Sequence, residues 1–345
     1  MNKQPLGSAN SFTLDHMRIS VSYYCNLHCE HCYVPLDYRD QYKSLLEPHQ
    51  LKIEEMTSFI DMLKEQHSLR MISVTGGEPL LNKVWPRTKA VLEHAEKLGL
   101  AVQINTGGLG QVPIQNIATV FKNPEKLTFQ FSFDGACAET VDSFRGRKGV
   151  YNSALRQMAE AINAGALVQA RFTANRHNIT EALDAYRLLS TIPITSFKIK
   201  PMFAAGVAID NKEALLGSVD EIRALQESLI AISHDQKTRL ELPPPIFVNT
   251  SEHENKNVRF IGCNCGVTSG YLSTNGDLYP CSYIVGDTES KEFKIGNIRD
   301  TDFNFAKAWL CSPSLAQYKE NAGCGTCPTQ ATLMRNVENK GLACV

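Results

Sequence analysis

Six short β-branched or aromatic segments alternate with amphipathic helical patterns over residues 17–235. The predicted strands are Met17–Tyr24, Met71–Thr75, Ala101–Thr106, Leu127–Phe133, Val168–Ala174 and Ser196–Met202. Between the first two, Ile53, Met56 and Ile60 recur at helical spacing. Because strands joined by helical crossovers run parallel, this alternation predicts an α/β fold, a partial (β/α)6 TIM-like barrel. Ligands of such a barrel lie at the carboxyl ends of the strands.

The alternation stops near residue 235, and three consecutive prolines follow at 243–245. We therefore predict three parts: an N-terminal tail over 1–16, the barrel over 17–235, and a cysteine-rich C-terminal domain over 236–345. The tail lacks the apolar core of a signal peptide, and no run of eighteen apolar residues is present. With a formal net charge of −1, the sequence predicts a cytoplasmic protein without a nucleic-acid or membrane partner.

The eleven cysteines are concentrated at the two ends of the chain. Three lie at 25, 29 and 32, and seven lie after residue 260, with Cys137 alone between. An odd number of cysteines in a chain of this size argues against a disulfide framework. Close groups of thiols instead suit a metal or an iron–sulfur centre, whose ligands must converge. We interpret Cys137 as a buried or incidental thiol rather than a ligand.

Cys25, Cys29 and Cys32 follow the first predicted strand and so lie at the ligand-binding end of the barrel. Three thiolates can hold three irons of a cubane and leave the fourth open, the mark of a catalytic centre. The residues alone leave a zinc site open as an alternative, because His28 and His31 are also possible ligands.

The spacing of these cysteines, followed by Thr75-Gly-Gly-Glu-Pro79 at the end of the second strand, resembles the radical S-adenosylmethionine (SAM) superfamily. The resemblance implies a [4Fe–4S] cluster on three cysteines whose open iron is chelated by SAM. Reductive cleavage of SAM then gives a 5′-deoxyadenosyl radical that abstracts hydrogen from a substrate. It also implies that Gly76, Gly77, Glu78 and Pro79 bind the SAM amino group and that His31 lies near the adenine.

Further SAM-binding candidates follow from the same resemblance at the next strand ends. They are Asn105, Ser132, Asp134 and Arg145, of which Arg145 is equally well explained as a solvated surface residue. Arg171 and Lys198 lie within predicted strands, and we expect them to face the cavity as candidates for substrate or SAM contacts.

The C-terminal cysteines follow the pattern of the SPASM or twitch extension found in some radical SAM enzymes. An Asn-Gly pair at 275–276 predicts a hairpin that brings Cys265 and Cys281 to the same end. The resemblance implies one auxiliary [4Fe–4S] cluster on Cys265, Cys281, Cys324 and Cys327. Cys263 is an alternative to Cys265, and Cys344 and Cys311 leave a second auxiliary cluster open. The full SPASM pattern has cysteine where this chain has Leu333 and Val337.

Members with this extension mostly modify ribosomally made peptides by crosslinking, epimerisation or oxidation, which is the function we predict. The alternative is oxidation, epimerisation or decarboxylation of a sugar, aminoglycoside or nucleoside intermediate. Ser282 replaces the aspartate of the formylglycine-forming members, so that reaction ranks low. We expect no fused leader-binding domain, so a leader peptide would need either a separate carrier protein or direct contact with the barrel. The expected reductant is flavodoxin or ferredoxin. A non-enzymatic zinc scaffold or iron–sulfur electron carrier is the remaining hypothesis.

Overall fold

All six predicted strands form, each to within two residues of its predicted ends. The computed structural model describes residues 12–40, 47–243, 257–286 and 293–320. The strands of the barrel are β1 His16–Ser22, β2 Met71–Gly76, β3 Ala101–Thr106, β4 Leu127–Ser132, β5 Leu167–Ala174 and β6 Ser196–Pro201. The C-terminal part adds β7 Arg239–Leu242, β8 Val258–Phe260, β9 Ser269–Leu272, β10 Asp277–Tyr279 and β11 Gly296–Asn297.

Helices connect the strands wherever the sequence has a helical apolar pattern. They are α1 Leu36–Asp40, α2 Ile53–His67, α3 Trp85–Lys97, α4 Ile114–Val120, α5 Ala138–Phe144, α6 Val150–Asn163, α7 Ala182–Ser190, α8 Lys212–Leu215, α9 Val219–Ser233, α10 Phe305–Cys311 and α11 Pro313–Glu320. Local chemistry fixes some helix starts. At α9, Glu221 N donates to Ser218 Oγ at 3.2 Å and Ser218 N donates to Glu221 Oε2 at 2.6 Å. This reciprocal pair satisfies two amide groups that would otherwise lack partners.

One continuous sheet contains all the described strands, in the order β11-β10-β9-β1-β2-β3-β4-β5-β6-β7-β8. The run from β9 to β8 is parallel, and β10 and β11 are antiparallel. The partial-barrel α/β class predicted from the sequence is confirmed.

The two faces of the sheet differ in chemistry, as the two-residue period of strands requires. On β1, the side chains of Met17, Ile19 and Val21 are fully buried in the apolar core. The alternate positions carry polar groups, including Arg18 and Ser20, and we call this side of the sheet the inner face. A parallel sheet with a polar inner face provides a lined cavity rather than a second apolar core.

The predicted boundary at residue 236 does not coincide with a break in the sheet. β7 pairs with β6 on one side, and β9 pairs with β1 on the other. The division into 17–235 and 236–345 stays a prediction, as does the tail over 1–16, of which the structure describes only the last residues.

The hairpin predicted at the Asn-Gly pair is confirmed. β9 and β10 pair antiparallel, with Leu278 opposite Leu272 and Tyr279 opposite Tyr271. Because β9 runs parallel to β1 with His16 opposite Ser269, the open end of this hairpin lies at the amino end of β1. The carboxyl end of β1 leads instead into the Cys25 loop.

Candidate active site

Three thiols share one packed cluster directly after β1. Cys29 is buried, Cys25 and Cys32 are partly buried, and all three contact the same apolar group with Leu27 and Val141. Burial raises the pKa of Cys25 above its usual range, and the neighbouring Cys29 adds to this effect. Thiols held together with part of their surface exposed suit a cluster with three protein ligands.

The two glycines of the second strand end fix this loop by close backbone contact. A Cβ on Gly76 would lie 2.1 Å from Ser22 O, and one on Gly77 would lie 2.1 Å from Tyr24 O. Gly77 N donates to Ser22 O at 2.7 Å, and Glu78 N donates to Tyr24 O at 2.9 Å. Larger residues than glycine therefore do not fit at these two positions, because the backbone that leads into Cys25 already contacts them.

Glu78 joins the loop after β2 to the end of β3. Its buried carboxylate accepts hydrogen bonds from Thr106 Oγ1 at 2.9 Å, Gly107 N at 2.8 Å and Leu80 N at 3.1 Å. Burial raises the pKa of Glu78 in spite of these donors. The sequence analysis chose Asn105 and missed Thr106. Thr106 is a polar residue on the same face of β3 as the buried Val102 and Ile104, and this could have identified it.

Asp134 and Arg145 form a buried ion pair beside the cysteine loop. Arg145 NH2 donates to Asp134 Oδ2, and Thr173 N donates to Asp134 Oδ1 at 2.6 Å. The same guanidinium donates to Cys29 Sγ at 3.6 Å, and the Arg145 carbonyl accepts from His28 N at 3.0 Å. Arg145 is 5% exposed, so the solvated-surface interpretation is wrong. A contact of this pair with SAM stays a prediction.

The zinc alternative gains no support from the histidines of the loop. The His31 ring stacks on Phe144 with centroids 4.5 Å apart, and burial lowers the pKa of His31 well below its usual range. Among the described residues, no three His, Cys, Asp or Glu side chains are arranged to hold a single metal ion. His31 is a neutral, stacked ring, and its place near the adenine stays a prediction.

A second set of thiols lies at the opposite end of the inner face. Cys265 and Cys281 are buried, and Arg18 NH1 donates to Cys265 Sγ at 3.6 Å. Hydrogen bonds with Cys263 and Cys281 lower the pKa of Cys265 well below its usual range. Cys263 therefore lies beside Cys265, and which of the two is a cluster ligand stays a prediction.

The inner face between the two thiol sets is polar on successive strands. Asn105 Oδ1 accepts from Gln103 and Gln130 at 2.7 and 3.0 Å. Ser132 lies beside Arg171 in the register of β4 and β5. Lys198 pairs with Glu241 at 3.2 Å, and burial lowers the pKa of Lys198. β1 spans six residue steps between its ends, so the face is about 20 Å long.

Some predicted ligands are not brought to either thiol set by the described structure. Cys324, Cys327 and Cys344 lie outside the described residues. Cys311 is exposed at the end of α10, and Cys137 is an exposed residue preceding α5. The Pro79 carbonyl accepts a hydrogen bond from Thr88 Oγ1 at 2.8 Å, which ties the loop after β2 to α3.

A thiol loop at the carboxyl end of β1, in a partial barrel with a polar inner face, defines the class as an iron–sulfur barrel enzyme. Residues 19–188 match the model of the Radical SAM superfamily, and the chain belongs to that superfamily. It is a radical SAM enzyme. No described helix is both long and apolar enough to cross a membrane.

Known proteins resemble the chain over most of its length. It is 24% identical over 309 residues to the mycofactocin maturase MftC of Mycobacterium tuberculosis, covering 89% of this chain and 73% of that protein. It is 24% identical over 326 residues to the AdoMet-dependent heme synthase of Oleidesulfovibrio alaskensis, covering 88% and 77%. The fold matches Streptococcus suis SuiB bound to precursor peptide SuiA with a TM-score of 0.68 at 16% identity, covering 93% of this chain and 70% of that one.

Proposed function

We propose that this radical SAM enzyme modifies a ribosomally made peptide, with the reaction confined to the inner face between the two thiol sets. The observation that carries the proposal is that Cys25, Cys29 and Cys32 lie at one end of this face and Cys265 and Cys281 at the other. Such an arrangement suits a reaction that starts at one end and returns an electron at the other.

Cys25, Cys29 and Cys32 are the proposed ligands of the SAM-cleaving [4Fe–4S] cluster. When bound, that cluster supplies the electron that splits SAM into methionine and a 5′-deoxyadenosyl radical. The protein holds the loop in position from two sides, through Gly76 and Gly77 against its start and through Arg145 against Cys29. Arg145 is buried, and Gly76 and Gly77 are partly buried, so the protein itself contacts the loop at both places.

SAM would lie along the strand ends next to this loop. The proposed contacts are the backbone of Gly76, Gly77, Glu78 and Pro79, together with His31, Asn105, Ser132, Asp134 and Arg145. Of these, Ser132 and Asn105 face the cavity from β4 and β3, whereas the Asp134 and Glu78 carboxylates are occupied by protein donors. The Asp134 carboxylate therefore positions Arg145, and the Glu78 carboxylate positions the end of β3, beside the place proposed for SAM.

Cys265 and Cys281 are proposed ligands of an auxiliary [4Fe–4S] cluster. Cys324 and Cys327, which lie outside the described residues, would complete its ligand set. Arg18 from β1 lies beside Cys265, and Ser269 Oγ donates to the same sulfur at 3.9 Å. Donors of this kind stabilise thiolate charge in a ligand set. A flavodoxin or ferredoxin is the proposed reductant.

A peptide substrate is supported both by a relative in sequence and by a match in structure. One relative is a maturase, and the structural match was determined with a precursor peptide bound. The second candidate is a small-molecule substrate, which the similarity to an AdoMet-dependent heme synthase favours.

The radical step is tested by anaerobic reconstitution with iron and sulfide, dithionite reduction and measurement of 5′-deoxyadenosine. Wild type should form it, and Cys29→Ala should not. Cys137→Ala is the matched control, since it removes an exposed thiol outside both sets. Wild-type levels of 5′-deoxyadenosine and iron in Cys29→Ala would contradict the proposal.

The substrate class is tested with deuterated peptides encoded by short reading frames beside the gene. A peptide substrate should transfer deuterium to 5′-deoxyadenosine and change mass. Transfer from a deuterated tetrapyrrole or sugar, with none from the peptides, would favour the small-molecule candidate instead.

A further inference from the structure

Two cationic side chains converge on one hydroxyl on the inner face, toward the carboxyl ends of the strands. Arg171 on β5 and Lys200 on β6 lie on neighbouring strands. Arg171 NH2 donates to Tyr283 Oη at 2.5 Å, and Lys200 Nζ donates to the same oxygen. Lys200 Nζ also lies 3.9 Å from the centre of the Tyr283 ring.

This trio lies between the two thiol sets. Tyr283 follows Cys281 by two residues, and its ring centroid is 5.4 Å from that of Tyr33, the neighbour of Cys32. The Phe203 ring contacts Tyr283 edge-on at 5.4 Å. Tyr283 and its two cationic partners therefore lie on the inner face close to the Cys25 loop.

The charge on this part of the face is not balanced at Arg171. Glu241 is within ion-pair distance of Lys198 at 3.2 Å and of Arg239 at 3.5 Å. Within the ranges that the structure describes, no ion pair includes Arg171. A phenol oxygen compensates a guanidinium less than a paired carboxylate does, and a half-buried cation attracts an anion more strongly than one in bulk water.

We infer that Arg171 and Lys200 form a carboxylate-binding subsite that orients the substrate, with the Tyr283 hydroxyl between them. The planar guanidinium presents paired donors to a carboxylate, and the ammonium adds a second charge. The inference rests on the proposed peptide function, so the carboxylate is an Asp or Glu side chain or the peptide C-terminus. Binding it here fixes which part of the substrate faces the Cys25 loop.

The test is calorimetric titration of the reconstituted full chain, with SAM present, by glutarate and by its uncharged analogue glutaramide. Wild type should bind glutarate, and Arg171→Gln or Lys200→Gln should weaken binding by roughly tenfold, as expected for loss of one charge-assisted contact. Arg171→Lys should retain most of the affinity. Arg156→Gln is the matched control, because Arg156 lies on the outer helix α6 and pairs with Glu160. A urea-unfolding midpoint equal to that of wild type shows that each variant is folded.

Equal binding of glutaramide by wild type, or glutarate affinity within about twofold of wild type in both Gln variants, would overturn the subsite. Three pentapeptides then identify the source: one with a central Glu and an amidated end, one with Gln and an amidated end, and one with Gln and a free carboxyl end. The tighter of the first and third assigns the carboxylate. Selective glutarate binding with equal affinity for all three peptides would leave the subsite standing and refute the peptide substrate.

Discussion

The buried pair of Asp134 and Arg145 is the support of the cysteine loop that is easiest to test. Their side chains are 0% and 6% exposed. Asp134→Asn removes the charge but keeps the shape, so the Arg145 guanidinium stays buried without its counter-charge. Breaking one partner of a buried pair costs about 3–5 kcal/mol. Because the same guanidinium donates to Cys29 Sγ, iron incorporation should fall together with the free energy of unfolding.

The assay is urea unfolding of the apoprotein, followed by iron counting after reconstitution. Asp184→Asn is the matched control, since Asp184 pairs with Arg187 at 2.8 Å on an exposed helix face, with side chains 67% and 52% exposed. Solvent screening limits that change to within about 0.5 kcal/mol. If Asp134→Asn unfolds like the control and binds the same iron, the loop does not depend on this pair.

The remaining predictions concern the loop contact, pH and the second thiol set. Gly77→Ala places a Cβ 2.1 Å from Tyr24 O, so we expect loss of iron at the Cys25 end and of 5′-deoxyadenosine; full activity would contradict this. Burial lowers the pKa of His16 to about 3, below its unfolded value, so the stability that the neutral ring provides is present above about pH 6.5 and is lost as the pH falls toward 3. Between pH 7.5 and 5 the wild-type apoprotein should therefore lose about 2 kcal/mol more than His16→Gln, as urea titrations can measure. Cys281→Ala should lose about four irons and still form 5′-deoxyadenosine, whereas a complete loss of SAM cleavage would join the two thiol sets into one functional unit.

Local patterns predicted the barrel well because they act over short distances. Short β-branched and aromatic segments between helical patterns placed all six strands, because both signals lie within a few neighbouring residues. The Asn-Gly pair likewise placed the β9–β10 hairpin through the turn alone. The Cys25 loop was identifiable because its ligands are close in sequence.

Contacts between distant segments could not be predicted in the same way. β9 lies next to β1 although they are about 250 residues apart in the chain, and no local signal specifies that pairing. Arg145 was predicted to contact SAM or solvent because its sequence context does not show that Asp134 and Cys29 surround it. Tyr283 was missed for the same reason, since its partners lie on β5 and β6.

The pairing of β9 with β1 also explains how one chain can combine two thiol sets around one substrate. Since β9 enters the sheet parallel to β1, the residues before it lie at the amino end of the strand, facing Arg18. The segment after β10 then returns Tyr283 along the inner face toward Tyr33. The pairing of β9 with β1 therefore places one thiol set before this strand's partner and leaves the other in the loop that follows β1. A fold in which the C-terminal part was tethered beyond β8 would hold Cys265 and Cys281 away from Arg18, and the face between the sets would not exist.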